Sequence, residues 1–401
     1  MCKDNQESKY KISDNILNYL SQNYEHLSLS NQENSNSLSM LESDLNKNQI
    51  FLTGEVHNIK INSKLKMNFI KYFKQKLNFK YLLCEYSYSM SYFLNQYLRS
   101  GNDKILKEIY EPLSDSLGTN QDIYDHWKFL YKYNLTLNYN DRIQVIGVDI
   151  EHQPINAYKF LIEILPEHNI PKIIESKIKN IRTIYKDLQN NNYTSYYNSA
   201  KELQTDIRNN TSSYEEFLGS NLYSFKLVVN NILNSVDAYK FEDNEAEWNN
   251  YRDQKIFENF CLIESQLPEG NFYGQLGASH IFQSKDNDVM WFAAHLNSPT
   301  SKYTNKVISI LFNYIDCEMG YREEIYSTTP FNYVFPYLET VNKTLGGKIN
   351  IYKLNSNDVP FSEMMMYDIY SGNETDESVV NFIQYIVVIK NSEASKPLYV
   401  F

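Results

Sequence analysis

The sequence predicts an α/β fold with a central, mainly parallel sheet flanked by helices, a large helical insertion and additional C-terminal strands. Short apolar runs alternate with amphipathic segments in the first 150 residues, which is typical of a doubly wound parallel sheet. Residues 157–267 show repeated helical periodicity and contain one glycine. The whole chain has only 12 glycines and 10 prolines in 401 residues, so long regular elements are expected.

Strand and helix signals alternate after a polar N-terminal stretch. We expect residues 1–48 to form an extension, with one outer helix at 12–27, and residues 49–401 to form the α/β domain. Apolar runs predict strands at 49–57, 79–85 and 142–150, and a period of 3.6 residues predicts helices at 59–77, 87–98 and 122–133.

The insertion at 157–267 is predicted to be a helical lid over the sheet. Its helices are expected at 158–165, 173–188, 196–207, 214–239 and 245–264. Beyond it we predict strands at 271–277, 306–315, 323–326, 348–354 and 382–390, and a helix at 286–296. The last strands either close the sheet or form an appended β layer.

Charge and composition narrow the classes of partner. The net charge of −11 disfavours nucleic acid or an anionic membrane as the main partner. No apolar run reaches the length of a membrane span and no signal-peptide core is visible, so a cytoplasmic protein is expected. The alternative is a mature lipoprotein that is lipid-anchored through Cys2. The four cysteines show no CxxC spacing, which disfavours a zinc ribbon or a disulfide scaffold.

Polar side chains suited to catalysis follow four of the predicted strands. In open α/β sheets the ligand crevice lies at the carboxyl ends of the strands, so we expect these side chains to converge there. Glu55 and His57, two residues apart in an extended segment, can face the same ligand. The candidates are Glu55 and His57, then Glu85, then Asp149 and Glu151, with His152 beside them, and finally His280.

Such a cluster permits two kinds of chemistry. It can bind a divalent metal that activates water, or a carboxylate can orient a histidine that acts as general base. Late in the insertion, Arg252 and Asp253 begin a helix that also carries Asn259. Arg252 can clamp a carboxylate or polarise a carbonyl, and it can equally form an ordinary surface ion pair. His126 and His295 lie in helical patterns and are expected to be packing residues.

Known motifs narrow the reaction further. The sequence has no GxSxG elbow, no phosphate-binding P-loop, no GxGxxG after a strand and no HExxH. These absences disfavour a serine hydrolase of the α/β type, an NTPase, a dinucleotide enzyme and a zincin-type metalloprotease.

The motifs that are present resemble those of the erythromycin esterase-like superfamily, whose relatives include ChaN-type haem-binding lipoproteins and TIKI/TraB-type proteases. They are Leu-Thr-Gly-Glu-Val-His ending at His57, Leu-Cys-Glu ending at Glu85, Arg252-Asp253 with Asn259, and Gly-Ala-Ser-His ending at His280. The resemblance covers roughly residues 48–315, and the strand at 385–390 also looks like the last strand of the family.

The resemblance implies a pocket of Glu55, His57, Glu85 and His280. The resemblance assigns to His57 the role of activating water, and to Glu55 the role of orienting His57. If a metal such as Mn, Zn or Co is present, these four residues are its expected ligands. Arg252 is expected to bind an oxyanion or a carboxylate, and His280 to be a second base or ligand. Asp253, Asp149 and Glu151 are expected to be binding residues.

The chain departs from the macrolide esterases at two places. It has Gly-Glu-Val-His in place of the usual Gly-Glu-x-x-His, and the helix that follows carries Lys64, Lys66 and Lys71 in the region where the esterases often have an arginine. Both departures disfavour a macrolide as the substrate and leave open hydrolysis, or metal or haem binding.

The leading prediction is a hydrolase that cleaves an ester, lactone or amide bond by activated water in a small molecule or peptide. One alternative is a non-catalytic haem- or iron-binding protein of the ChaN type, which requires an axial His or Tyr that faces an apolar cleft. The other is a scaffold whose pocket has lost activity.

Overall fold

The computed structural model describes residues 14–29, 35–113, 116, 118–286, 288–328, 345–356, 360–367 and 373–398. Within these residues the α-helices are α1 (Asp14–Gln22), α2 (Glu42–Leu45), α3 (Ile61–Leu77), α4 (Tyr88–Ser100), α5 (Asp103–Tyr110), α6 (Gln121–Thr136), α7 (Pro154–Glu163), α8 (Glu175–Gln189), α9 (Tyr196–Asn209), α10 (Thr211–Leu218), α11 (Leu222–Tyr239), α12 (Glu245–Glu264), α13 (Phe292–Leu296) and α14 (Val379–Phe382). The strands are β1 (Tyr24–His26), β2 (Ile50–Glu55), β3 (Tyr81–Ser87), β4 (Gln144–Asp149), β5 (Phe272–Gly277), β6 (Val307–Ile315), β7 (Glu318–Tyr321), β8 (Glu324–Ser327), β9 (Ile349–Lys353), β10 (Met365–Tyr367), β11 (Glu374–Ser378) and β12 (Tyr385–Lys390).

The main sheet confirms the predicted α/β class. Its described strands lie in the order β1-β9-β12-β6-β2-β5-β3-β4. The six strands from β12 to β4 are parallel, whereas β9 and β1 add antiparallel pairs at one edge. Thus β9 and β12 belong to the main sheet, while β7 pairs with β8 and β10 with β11 in separate hairpins.

Both faces of the sheet are covered by apolar side chains. Phe51 of β2 and Leu82 of β3 pack in one core, whereas their neighbours Leu52 and Leu83 pack in the other. This division follows from the alternation of side chains along a strand. Because the parallel strands are buried on both faces, they appear in the sequence as continuous apolar runs.

Some sequence predictions of local structure are wrong. The helix predicted at 12–27 ends at Gln22, and the chain then pairs as β1 with β9, so the described part of the N-terminal segment contributes an edge strand. The helix predicted at 214–239 is two helices, because Gly219 between them has a φ of +53°. Of the helix predicted at 286–296, only Phe292–Leu296 is α-helical.

No helix in the described ranges combines the length and the apolar character that a bilayer-crossing segment needs. The alternative of a lipid anchor depends on Cys2, which lies outside the described residues.

Gly147 allows β4 to approach β3 closely near the carboxyl ends of the two strands. A Cβ at this position would lie 2.2 Å from the backbone oxygen of Ser87 and 2.6 Å from that of Tyr86. The β3–β4 register shifts between Cys84 and Ser87, directly around Glu85. The absence of a side chain at Gly147 is therefore part of what positions the end of β3.

We expect Gly147→Ala to lower the free energy of unfolding by about 1–3 kcal/mol, since backbone atoms must move to accept the methyl group. Urea denaturation measures this change. Gly277→Ala is the matched control, because its φ of −55° suits alanine and its Cβ would first meet a side-chain atom at 3.3 Å. A Gly147→Ala variant as stable as the control would contradict the close approach.

Candidate active site

The carboxyl ends of four neighbouring strands, β2, β5, β3 and β4, border one cavity of about 460 Å³. This volume lies in the usual range of pockets for small molecules. Glu55, His57, Glu85, Asp149 and Arg252 all line it. The structure therefore brings together most of the side chains that the sequence placed at strand ends.

Arg252 of α12 links the ends of β3 and β4. Its Nε donates to Asp149 Oδ1 at 3.1 Å, and its Nη2 lies 2.5 Å from Asp149 Oδ2 and 2.6 Å from Glu85 Oε1. Burial opposes ionisation of Asp149, but Arg252 and then His152 lower the pKa of this carboxyl below its ordinary value. Arg252 is thus a buried cation shared by two carboxylates and not the surface ion pair that the sequence left open.

The end of β4 is fixed by two buried amides. Asn231 of α11 donates to the Asp149 carbonyl oxygen at 2.9 Å, and Asn259 of α12 donates to the Val148 carbonyl oxygen at 3.0 Å. The two amides also bond to each other, from Asn259 Nδ2 to Asn231 Oδ1 at 3.0 Å. Helices of the insertion therefore hold the strand end that carries Asp149, which explains the Asn259 of the sequence motif.

His280 lies beneath the cavity, in a short 3₁₀ turn (Ala278–Ile281) after β5. Its Nδ1 is 2.8 Å from Asp253 Oδ1, and its Nε2 is 3.3 Å from Glu85 Oε1. Asp253 is fully buried and also accepts from the Phe292 backbone N–H at 2.7 Å. Burial opposes the charge on His280, but Asp253 and Glu85 raise its pKa to about 10. His280 is therefore an imidazolium at neutral pH.

Glu85 joins the two cations. Its Oε1 faces Arg252 and His280, and its Oε2 accepts from the Gly277 backbone N–H at 2.8 Å. Burial opposes ionisation, but His280 and Arg252 hold the pKa of Glu85 well below its ordinary value. Since the imidazolium and the guanidinium are both donors, the 3.4 Å contact between Arg252 Nη1 and His280 Nε2 is not a hydrogen bond, and Glu85 lies between the two charges.

His57 differs from His280 because it is accessible from the cavity. Its side chain is 29% exposed, against 7% for His280. Its Nδ1 lies 3.1 Å from Glu55 Oε1, and Gln275 donates to the other oxygen of Glu55. No described residue forms a hydrogen bond with His57 Nε2. A carboxylate partner at Nδ1 places the proton there and leaves the lone pair on Nε2.

Gly277 keeps the space around this nitrogen open. A Cβ at Gly277 would lie 3.6 Å from His57 Nε2, 3.4 Å from Glu85 Oε2 and 3.3 Å from His280 Cδ2. The three side chains therefore surround one point at the end of β5. Burial lowers the pKa of His57, but the hydrogen bond to Glu55 and the charge of Glu85 outweigh it, so the pKa is raised above its ordinary value.

Glu151 and His152 have different environments. Glu151 is buried and does not line the cavity. Its carboxyl accepts from the backbone N–H and the hydroxyl of Ser89 in the first turn of α4, at 3.1 and 2.5 Å, and burial raises its pKa to about 7. His152 lines the cavity and bridges Asp149 Oδ2 at 3.2 Å and the Tyr239 hydroxyl at 3.1 Å.

Sequence reasoning missed several lining residues. Gln275 lies two residues before Gly277 on β5, so strand alternation alone could have placed it beside Glu55. His126 is buried and packs against Trp127, as a packing residue is expected to, and it also borders the cavity, which the sequence did not indicate. Lys66 was noted only as one of three lysines in the region where the esterases often have an arginine, and no sequence signal singled out Tyr86 or Tyr239.

The predicted metal ligands do not fit a metal ion. Across the described ranges, no group of three or more His, Cys, Asp or Glu side chains is arranged to hold one. Both ring nitrogens of His280 face carboxylates, and the guanidinium of Arg252 lies between Glu85 and Asp149. The positive charge that a metal would bring is supplied here by Arg252.

Haem also fits poorly. The alternative requires an axial His or Tyr that faces an apolar cleft, whereas the cavity wall around His57 carries the carboxylates of Glu55, Glu85 and Asp149.

No protein-family model and no curated protein matches the sequence. Solved structures do match over almost the whole length. A Bacillus cereus protein aligns with a TM-score of 0.70 at 15% identity over 97% of this chain and 100% of its own. A succinoglycan biosynthesis protein aligns with a TM-score of 0.69 at 14% identity, over 96% of this chain and 98% of its own. A histidine-to-asparagine variant of the erythromycin esterase EreC, in its open conformation, aligns with a TM-score of 0.68 at 13% identity. The alignment covers 94% of this chain and 99% of the esterase chain.

The chain shares its fold with the erythromycin esterase EreC. The fold predicted from the short motifs is thereby confirmed. The erythromycin esterase-like fold covers the helical insertion as well as the sheet, because the alignment spans nearly all of both chains. At 13–15% identity these alignments establish the fold of the chain, and they do not establish its reaction.

Proposed function

We propose that this protein is a hydrolase that cleaves an ester or lactone bond with water activated by His57. The observation that carries the proposal is that His57 lines the cavity with a 29% exposed side chain and that its Nε2 has no described hydrogen-bond partner, while the opposite nitrogen is held by the buried carboxylate of Glu55. A histidine oriented in this way is suited to accept a proton from water. The erythromycin esterase that shares the fold supports esters as the bond class.

In the proposed reaction, His57 Nε2 takes a proton from water while the water oxygen attacks the carbonyl carbon. The carbonyl oxygen becomes negative and needs a donor that is already fixed in place. Arg252 suits this role, because Nε and Nη2 are engaged by Asp149 and Glu85, whereas among the described residues Nη1 has only the His280 contact. Collapse of the intermediate breaks the ester C–O bond, and the His57 imidazolium returns its proton to the leaving alkoxide.

The buried network positions this donor. We propose that His280 acts as a fixed cation that holds Glu85, and through Glu85 the guanidinium of Arg252, and not as a second base, since it is protonated at neutral pH. Asp253 fixes the imidazolium from the other side. Tyr239 and Arg252 reach the cavity from α11 and α12, which supports a lid role for the insertion at 157–267.

The pH dependence of hydrolysis tests the role of His57. We expect kcat/KM to rise with pH along a limb whose midpoint lies above 6.5, since the base must be neutral and its pKa is raised. Glu55→Gln removes the partner that raises the pKa and should move the limb to lower pH. The measurement is kcat/KM at roughly pH 5–9 on any ester that the parent hydrolyses.

Glu393→Gln serves as the control, because Glu393 is an exposed carboxylate paired with Lys60 on the surface. It should leave the limb in place. A limb that stays unchanged in Glu55→Gln, or that moves to higher pH, would show that His57 is not the titrating base.

A further inference from the structure

Some residues of the cavity wall do not belong to the network of ion pairs around Arg252. Two of them are Lys66 of α3 and His126 of α6. The ammonium of Lys66 lies 3.9 Å from the Cys84 sulfur and 5.5 Å from the centre of the Trp127 ring. Among the described residues no carboxylate lies within ion-pair distance of it, whereas Arg252, the other non-histidine cation of the lining, engages two.

His126 is the second group, and it has no hydrogen bond of good geometry to a described residue, although the Ser63 backbone interacts with its ring. Its side chain is buried, with 2% exposure, and neither ring nitrogen reaches a described residue in hydrogen-bond geometry. Burial, and then the charge of Lys66, hold its pKa well below the ordinary value, which the Ser63 backbone offsets only in part. The ring is therefore neutral and carries one N–H. A buried polar group without a partner is costly in a native protein, so a ligand is the natural source of one.

We propose that Lys66 and His126 form a binding subsite for an anionic oxygen group, a carboxylate or a phosphate, on the molecule that enters the cavity. Such a group accepts from the ammonium and from the imidazole N–H together, and it neutralises the charge of Lys66. A neutral ligand would satisfy only the imidazole.

The inference narrows the substrate class. Lys66 and His126 line the same cavity as His57 and Arg252. One molecule can therefore place its ester at His57 and Arg252 and its anionic group at Lys66 and His126. As a statement about substrates this rests on the proposed function, and it predicts esters or lactones that carry a carboxylate or phosphate. As a statement about binding it stands independently of any reaction.

Isothermal titration of the full chain with glutarate, inorganic phosphate and the neutral analogue glutaramide tests the subsite. We expect glutarate or phosphate to bind and glutaramide not to bind. Lys66→Met keeps the apolar stem and removes the charge, so it should weaken binding of that anion by about tenfold or more. Lys64→Met, which changes an exposed lysine on the same helix, should leave binding unchanged.

His126→Leu provides a second variant. It should weaken anion binding and change the Tm little, since neither ring nitrogen has a hydrogen bond of good geometry to a described residue and the apolar side chain still fills the buried site. A purely structural role for His126 would instead lower the Tm and leave binding intact. Binding of glutarate tests whether the subsite accepts a carboxylate, and binding of inorganic phosphate tests whether it accepts a phosphate group. Failure of both anions to bind the parent, or equal binding by Lys66→Met, would overturn the subsite.

His57→Gln separates this proposal from the proposed function. The variant should keep anion binding and lose hydrolysis. A parent protein that binds the anion through Lys66 but hydrolyses no ester would overturn the hydrolase and leave the subsite standing.

Discussion

Replacement of Arg252 by methionine is expected to lower the free energy of unfolding by about 3–5 kcal/mol, the usual cost of removing one partner from a buried ion pair. The guanidinium is 14% exposed and serves Asp149, which is 1% exposed, and Glu85, which is 16% exposed. Without it, two ionised carboxyl groups stay buried beside each other. Hydrolysis should be lost as well, since the proposed oxyanion donor is gone. Urea denaturation at neutral pH measures the stability change.

Lys179→Met is the control for this prediction. Lys179 pairs with Glu175 one turn away on α8, and its side chain is 67% exposed. Exposed pairs of this kind contribute only about 0.3–0.5 kcal/mol. If Arg252→Met cost no more than Lys179→Met, the buried network would not hold the strand ends together in the way described above.

Replacement of His57 by glutamine is expected to lower kcat for ester hydrolysis by about 10²–10⁴-fold, the range for loss of a general base. Glutamine can still bond to Glu55 but cannot take a proton from water. Stability should change little, because the ring is 29% exposed and its only hydrogen bond to a described residue is the one to Glu55. The measurement is single-substrate kinetics together with the unfolding midpoint of the same preparation.

His152→Gln is the matched control, since His152 lines the same cavity but is engaged at both ring nitrogens by Asp149 and Tyr239. We expect this variant to retain most of the activity. If His152→Gln lowered kcat as much as His57→Gln does, the assignment of His57 as the general base would be wrong.

The strands and their polar ends were predictable because each is a local pattern. An apolar run followed by Glu55 and His57, or by Glu85, is visible in a few consecutive residues, and parallel strands must end at the same edge. The helix at 245–264 was likewise predicted at its observed bounds. The strand pairing of Tyr24–His26 with β9 was not predictable, since its partner lies more than 300 residues away.

The roles inside the site depended on contacts that no local pattern carries. His57 and His280 look equivalent as motif histidines. They differ because Asp253 and Glu85 enclose His280 as a cation, while His57 keeps one nitrogen open. Glu151 lies two residues beyond the end of β4, but its carboxylate accepts a hydrogen bond from Ser89 in the first turn of a helix. His126 packs in its helix as predicted, but its position at the cavity wall depends on neighbouring elements and could not be seen in the local pattern.

The most direct test of the hydrolase is a panel of lactones, carboxylic esters and amides, incubated with the purified chain in ¹⁸O-labelled water and analysed by mass spectrometry. We predict that at least one lactone or ester gains one labelled oxygen in the carboxyl group released. We also predict that the His57→Gln variant, folded as the parent is, forms this product at least about 100-fold more slowly. No labelled product from any member of the panel, or equal rates in parent and variant, would contradict the account.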